Sequence, residues 1–192
     1  LVVPTTAADD KMAQLLVSGA FPVTVDADIT NVNILNQCDV TVNAGKSVGT
    51  LEIEGEDAVG SSLQNYGTIE TVNLFARTDF TNDGEVTGLV SVGDLKPGGV
   101  IRKAETFRLS SGSTVVNNGS IERLSLGGAA DVTNSETGEI QRLVVGSTAE
   151  TLAREDGLPY ATDSVIVNNG AMCNESHKAG TEDSEQRNIY LY

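Results

Sequence analysis

The chain has 192 residues and a formal net charge of −15, with lysine and arginine few and scattered, which argues against a nucleic-acid backbone or an anionic membrane surface as partner. No run approaches the ~18 apolar residues of a membrane-spanning helix. At 4% aromatic residues and no tryptophan, the composition is also poor for gripping sugars by ring stacking.

In chain order, residues 7–18 are predicted as an N-terminal capping helix within a segment 1–20. Thr6 can cap it, Asp9 and Asp10 sit in the first turn where the dipole favours negative charge, and Gly19 stops it. Met12, Leu15, Leu16 and Val17 would form its apolar stripe and cover the end of the core. From Phe21 the pattern turns strand-like, with Val23, Val25, Ala27 and Ile29 alternating and Val32, Ile34, Val40 and Val42 continuing. Cys38 falls on this alternation as a small core residue. Several coils at about 4.8 Å each would separate it from Cys173, so both are read as unpaired. Glu52, Glu54, Glu56 and Asp57 follow, with Glu52 and Glu54 expected on one outward face. They are the candidate metal group, for Ca²⁺, although the spacing of a calcium loop is missing and a solvated acidic strand is the preferred reading.

From residue 63 a phrase returns: large apolar, any, Asn, any, Gly, any, aliphatic. It starts at Leu63, Phe80, Val115 and Ile166, and relaxed copies start at Leu95 and Val132, giving spacings of 17, 15, 20, 17 and 34. Behind it rides aliphatic-x-x-aliphatic-x-aliphatic, as in Ile69/Val72/Leu74, Val86/Leu89, Ala104/Phe107/Leu109, Ile121/Leu124/Leu126 and Ile140/Leu143/Val145. Units that recur every 20 residues or so cannot bury their faces alone and must stack. The short alternating runs are strands, and each Asn-x-Gly is read as a sharp turn that tolerates left-handed backbone. The predicted fold is therefore all-β: a single-stranded right-handed parallel β-helix, a β-solenoid of 17–20 residues per coil, over residues 21–172. Asn65, Asn82, Asn117, Asn134 and Asn168 should stack as an amide ladder at one corner.

Between residues 146 and 164 the repeat is interrupted, and an insertion in a solenoid emerges on one side, often the binding side. Arg154, Glu155, Asp156 and Tyr160 are its candidate binding residues. Residues 173–192 form a polar tail ending in apolar residues, expected as a C-terminal cap within one overall domain.

No catalytic constellation stands out. His177 is the only histidine and has no Ser or Cys partner at a defined spacing, and no phosphate loop or metal-ligand spacing is present. The expectation is a protein without catalysis and without a cofactor, Ca²⁺ being the one cation considered. The alternative is a polysaccharide lyase or glycosidase built on a β-helix.

The phrase Asn-x-Gly-x-Ile followed by Leu-x-Leu resembles the repeats of filamentous-haemagglutinin-type adhesins and other β-helical bacterial surface proteins. That resemblance implies a secreted or cell-surface protein with an adhesive or structural role toward an extracellular protein or glycan. A phage or viral fibre module is the third alternative.

Overall fold

The computed structural model describes residues 2–3, 12–93, 109–145, 164–172 and 189–191. Two parallel sheets face each other, and the chain alternates between them. Sheet A holds β1 (Val2–Val3), β3 (Val23–Val25), β5 (Asp39–Val42), β7 (Ser61–Asn65), β9 (Thr78–Asn82), β11 (Ser113–Asn117), β13 (Ala130–Asn134) and β15 (Val165–Asn168), in that spatial order. Sheet B holds β2 (Met12–Val17), β4 (Ile29–Ile34), β6 (Ser47–Ile53), β8 (Thr68–Leu74), β10 (Glu85–Val92), β12 (Ser120–Leu126), β14 (Glu139–Val145) and β16 (Ala171–Met172). A short final strand, β17 (Ile189–Leu191), pairs with β14 beyond the place where β16 stops. Each coil contributes one strand per sheet, so the predicted parallel β-solenoid is what forms.

The core is a set of aliphatic columns, one residue per coil. In sheet B these run Ile29/Val48/Ile69/Val86/Ile121/Ile140, Val32/Leu51/Val72/Val90/Leu124/Leu143 and Ile34/Ile53/Leu74/Val92/Leu126, all buried. Sheet A presents one large column, Val23/Val40/Leu63/Phe80/Val115/Val132, flanked from the second coil on by small residues on one side, and on the other by Val25 and Val42 followed by asparagines. Stacking similar shapes at strand spacing fills the interior mostly with aliphatic residues, Phe75 and Phe80 being its buried aromatic ones among the described residues.

At the corner from sheet A to sheet B the amide ladder forms. Asn65 donates through Nδ2 to Oδ1 of Asn82, Asn82 to Asn117, Asn117 to Asn134 and Asn134 to Asn168, each at 2.8 Å. The first four asparagines are buried, and they share the corner with glycines of a different kind from those expected. None of Gly67, Gly84, Gly119, Gly138 and Gly170 has positive φ; each lies so close to the preceding coil that a Cβ would collide with a carbonyl oxygen, Lys46 O at 2.5 Å in the case of Gly67. Close stacking of the backbone, and not a left-handed turn, requires glycine here.

Three further expectations need correction. The capping helix is not what residues 12–17 form: β2 pairs in parallel with β4, matching Leu15 to Val32 and Val17 to Ile34, while residues 7–11 lie outside the described residues. The spacing of Met12, Leu15 and Leu16 suits a helix. Yet the bare edge of β4 offers a whole row of backbone partners, which outweighs a weak local propensity. The relaxed copy at Leu95 is not a coil, because β9 pairs directly with β11 and β10 directly with β12, leaving no rung between them. Residues 95–101 themselves lie outside the described residues. Finally, β10 carries one extra residue: Leu89 aligns with the outward Thr71, and Val90 takes the core place beside Val72. The bulge falls at Thr87–Gly88, where a Cβ on Gly88 would stand 2.7 Å from Glu70 O.

Candidate functional site

The register resolves the uneven period. Val23, Val40, Leu63, Phe80, Val115, Val132 and Ile166 occupy one place in successive coils, so the coil lengths are 17, 23, 17, 35, 17 and 34 residues. Tight coils of 17 alternate with long ones, and the true repeat is a pair of coils. Most of the extra residues enter at one place, after a sheet B strand and before the next sheet A strand, between β6 and β7, between β10 and β11, and between β14 and β15; two more enter at the opposite corner in the first and third long coils, before β6 and before β14, and one is the bulge in β10. The connections 94–108 and 146–163 lie outside the described residues, but the strands on either side fix where they are attached.

The chain closes each long coil with the same chemistry. In the first, the connection passes through a 3₁₀ turn (Glu56–Ala58) and returns through Gly60, at φ 88°, to Ser61. In the second it returns through Gly112, at φ 82°, to Ser113. The serine hydroxyls make matching bonds: Ser61 Oγ donates to Ala58 O at 2.7 Å and accepts from Cys38 N–H at 3.1 Å, and Ser113 Oγ donates to Ser110 O at 2.7 Å and accepts from Thr78 N–H at 3.1 Å. Ser164 Oγ accepts from Ala130 N–H at 3.2 Å in the third. The backbone repeats too, with Gln37 N–H on Asp57 O and Arg77 N–H on Leu109 O, both at 2.7 Å, and Gly60 and Gly112 N–H on Arg77 O and Ala129 O, both at 2.8 Å. An insertion of any length can thus rejoin the stack without stranding the corner amides of the tight coil beneath it. Ser113→Ala removes the acceptor for a buried N–H and is expected to lower unfolding stability by about 1–3 kcal/mol, as read by urea denaturation; an unchanged midpoint would contradict this account of the corner.

On its outer face sheet A carries alternating acids and hydroxyls, Asp39, Ser62, Asp79, Thr114 and Asp131, in register. Ser62 Oγ donates to Asp39 at 2.6 Å and Thr114 Oγ1 to Asp79 at 2.9 Å, so carboxylates never stand on adjacent coils of this row. The spacing halves like-charge opposition along an acidic rod.

The four carboxylates of the candidate metal group are spread along one turn of chain. Glu52 accepts an amide bond from Asn73 and Glu54 one from Asn33, each at 2.9 Å, while Glu56 and Asp57 lie in the 3₁₀ turn. Among the described residues, no three His, Cys, Asp or Glu side chains gather as a metal site needs. Arg154, Glu155, Asp156 and Tyr160 lie outside the described residues, as do His177 and Cys173. Cys38 is a buried free thiol whose Sγ donates to Gly19 O at 3.1 Å.

Sequence reasoning missed the two-coil repeat, although its signal is present. Long coils open on Asp-large-Thr, in Asp39–Thr41, Asp79–Thr81 and Asp131–Thr133, whereas Ser61, Ser113 and Ser164 stand where each long coil closes. The fold and this corner define a parallel β-solenoid protein with a two-coil repeat. No known protein family, curated protein or solved structure matches the chain.

Proposed function

We propose that this is a non-catalytic secreted or cell-surface protein whose solenoid is a stiff support for loops that adhere to an extracellular protein or glycan, with no resident cofactor. What supports this reading is that coil length varies in alternate coils only and mostly at a single corner, while the tight coils between them are all 17 residues long. Successive points of attachment then lie about 10 Å apart along the axis, two strand spacings. A row of loops on a regular support is a surface for a partner, because loops tolerate variation that stacked coils do not. The resemblance of the Asn-x-Gly phrase to adhesin-type repeats points the same way, and fold likeness is the weaker of the two grounds.

The test is retention on a panel of immobilised acidic and neutral polysaccharides and matrix proteins, with Ca²⁺ or with EDTA, scored alongside release of new reducing ends. Retention without turnover is expected, and replacing residues 147–162 by a short Gly-Ser linker should abolish it while leaving the unfolding midpoint in place. Turnover of any polysaccharide would instead make the chain a carbohydrate-active enzyme. Mass in solution is the further check, since a trimer resistant to dissociation would favour a fibre module.

A further inference from the structure

The tetrapeptide Val-Asn-Asn-Gly occurs twice, at 116–119 and 167–170, each time at the corner from sheet A to sheet B. An Asn-Gly step is chemically labile when the glycine nitrogen can reach the side-chain amide carbon of the asparagine, since glycine offers no Cβ to obstruct it. The two copies differ in what holds them. Around Asn118, the side-chain Nδ2 donates to Asp83 Oδ1 at 2.8 Å, its own N–H and that of Gly119 donate to Asn82 O at 2.7 and 2.9 Å, and its carbonyl accepts from Thr137 Oγ1 at 2.9 Å. Coils on both sides clamp that step, with Glu139 N–H bonded to Gly119 O at 2.9 Å from above. Asn169 sits on the last sheet A strand's corner, where among the described residues the preceding coil holds it: Asn169 N–H donates to Asn134 O at 2.8 Å and Ala171 N–H to Gly138 O at 2.9 Å. Among the described residues neither the Asn169 amide nor the Gly170 N–H has a hydrogen-bond partner, and Asn169 is exposed.

We propose that Asn169–Gly170 is a site of spontaneous deamidation and that its twin at Asn118–Gly119 is protected by the stack. The Gly170 nitrogen loses its proton and attacks Cγ of Asn169, forming a C–N bond, and the side-chain nitrogen leaves as ammonia. Water then opens the succinimide at either carbonyl, giving Asp or isoAsp at 169 with no oxidant, reductant or cofactor consumed. Either product adds a negative charge at the exposed position 169. The isoAsp form also lengthens the main chain beside Asn168 and so weakens the last rung of the amide ladder, the 2.8 Å bond from Asn134.

The full-length folded protein is incubated in warm, mildly alkaline buffer, and the fractions of Asp and isoAsp at 169 and 118 are followed by peptide mapping and isoaspartyl methyl transfer. Modification at 169 at least about tenfold faster than at 118 is expected, because 118 must await local opening of a coil held from both sides. In denaturant the two rates should converge, since the local sequences are the same. Comparable rates in the folded protein, faster loss at 118, or a difference between the two sites in denaturant as large as in the folded protein would each overturn the proposal.

Discussion

Replacing Gly119 by alanine is expected to destabilise the solenoid by about 3 kcal/mol or more, the largest effect expected at any of the described glycines. A Cβ at Gly119 would overlap the carbonyl oxygen of Gly84 and press on the backbone of Asp83 at 3.1 Å. These are main-chain atoms one coil away, so the clash cannot be relieved by a rotamer change. Relief means lifting one coil from the next, which stretches the bond from Ser120 N–H to Gly84 O at 3.0 Å and the ladder bond between Asn82 and Asn117. Gly45→Ala is the control. Its φ of 74° makes alanine unfavourable, but nothing lies within 4 Å of the added methyl, so a loss of only about 1–2 kcal/mol is expected. Urea denaturation of the two variants decides the matter. If Gly119→Ala costs no more than Gly45→Ala, close stacking is not the reason for the Asn-x-Gly phrase.

Asn82→Ala should cost roughly 2–4 kcal/mol, because one buried amide serves three coils. Its Oδ1 accepts from Asn65, and its Nδ2 donates to Asn117 Oδ1 at 2.8 Å and to Ser120 O at 3.1 Å. Alanine leaves Asn117 Oδ1 without this donor and Asn65 Nδ2 with only its longer 3.3 Å bond to Glu85 O, in a place with no exposure to water. Asn168→Ala removes the same side chain from the exposed end of the same ladder and should cost under about 1 kcal/mol. Equal losses at 82 and 168 would mean that burial of the ladder contributes nothing, and the asparagines would then be turn residues only.

Much of this architecture was legible in the sequence for a physical reason. Stacked coils place equivalent residues on top of one another, so the core columns of sheet B and the ladder from Asn65 to Asn168 appear in the chain as recurrences. The same legibility misled at three places. Leu95 to Ile101 imitates the phrase with Pro97 in the asparagine position, but a proline cannot extend an amide ladder, and the strands on either side pair without it. Val86 and Leu89 imitate the second element, yet the bulge at Gly88 hands the core to Val90 and Val92. Met12, Leu15 and Leu16 fit a helical face, but a strand edge was waiting for them in β4.

By itself the sequence determined the parallel solenoid, the columns that fill it and the corner at which asparagines stack, because each is a periodic demand that every coil must meet. Only the tertiary structure decided which copies are coils, that long and tight coils alternate, and that glycine is needed for contact between coils and not for its own φ. Those depend on pairing across 17 to 35 residues, where the backbone of one coil sets what the next can hold.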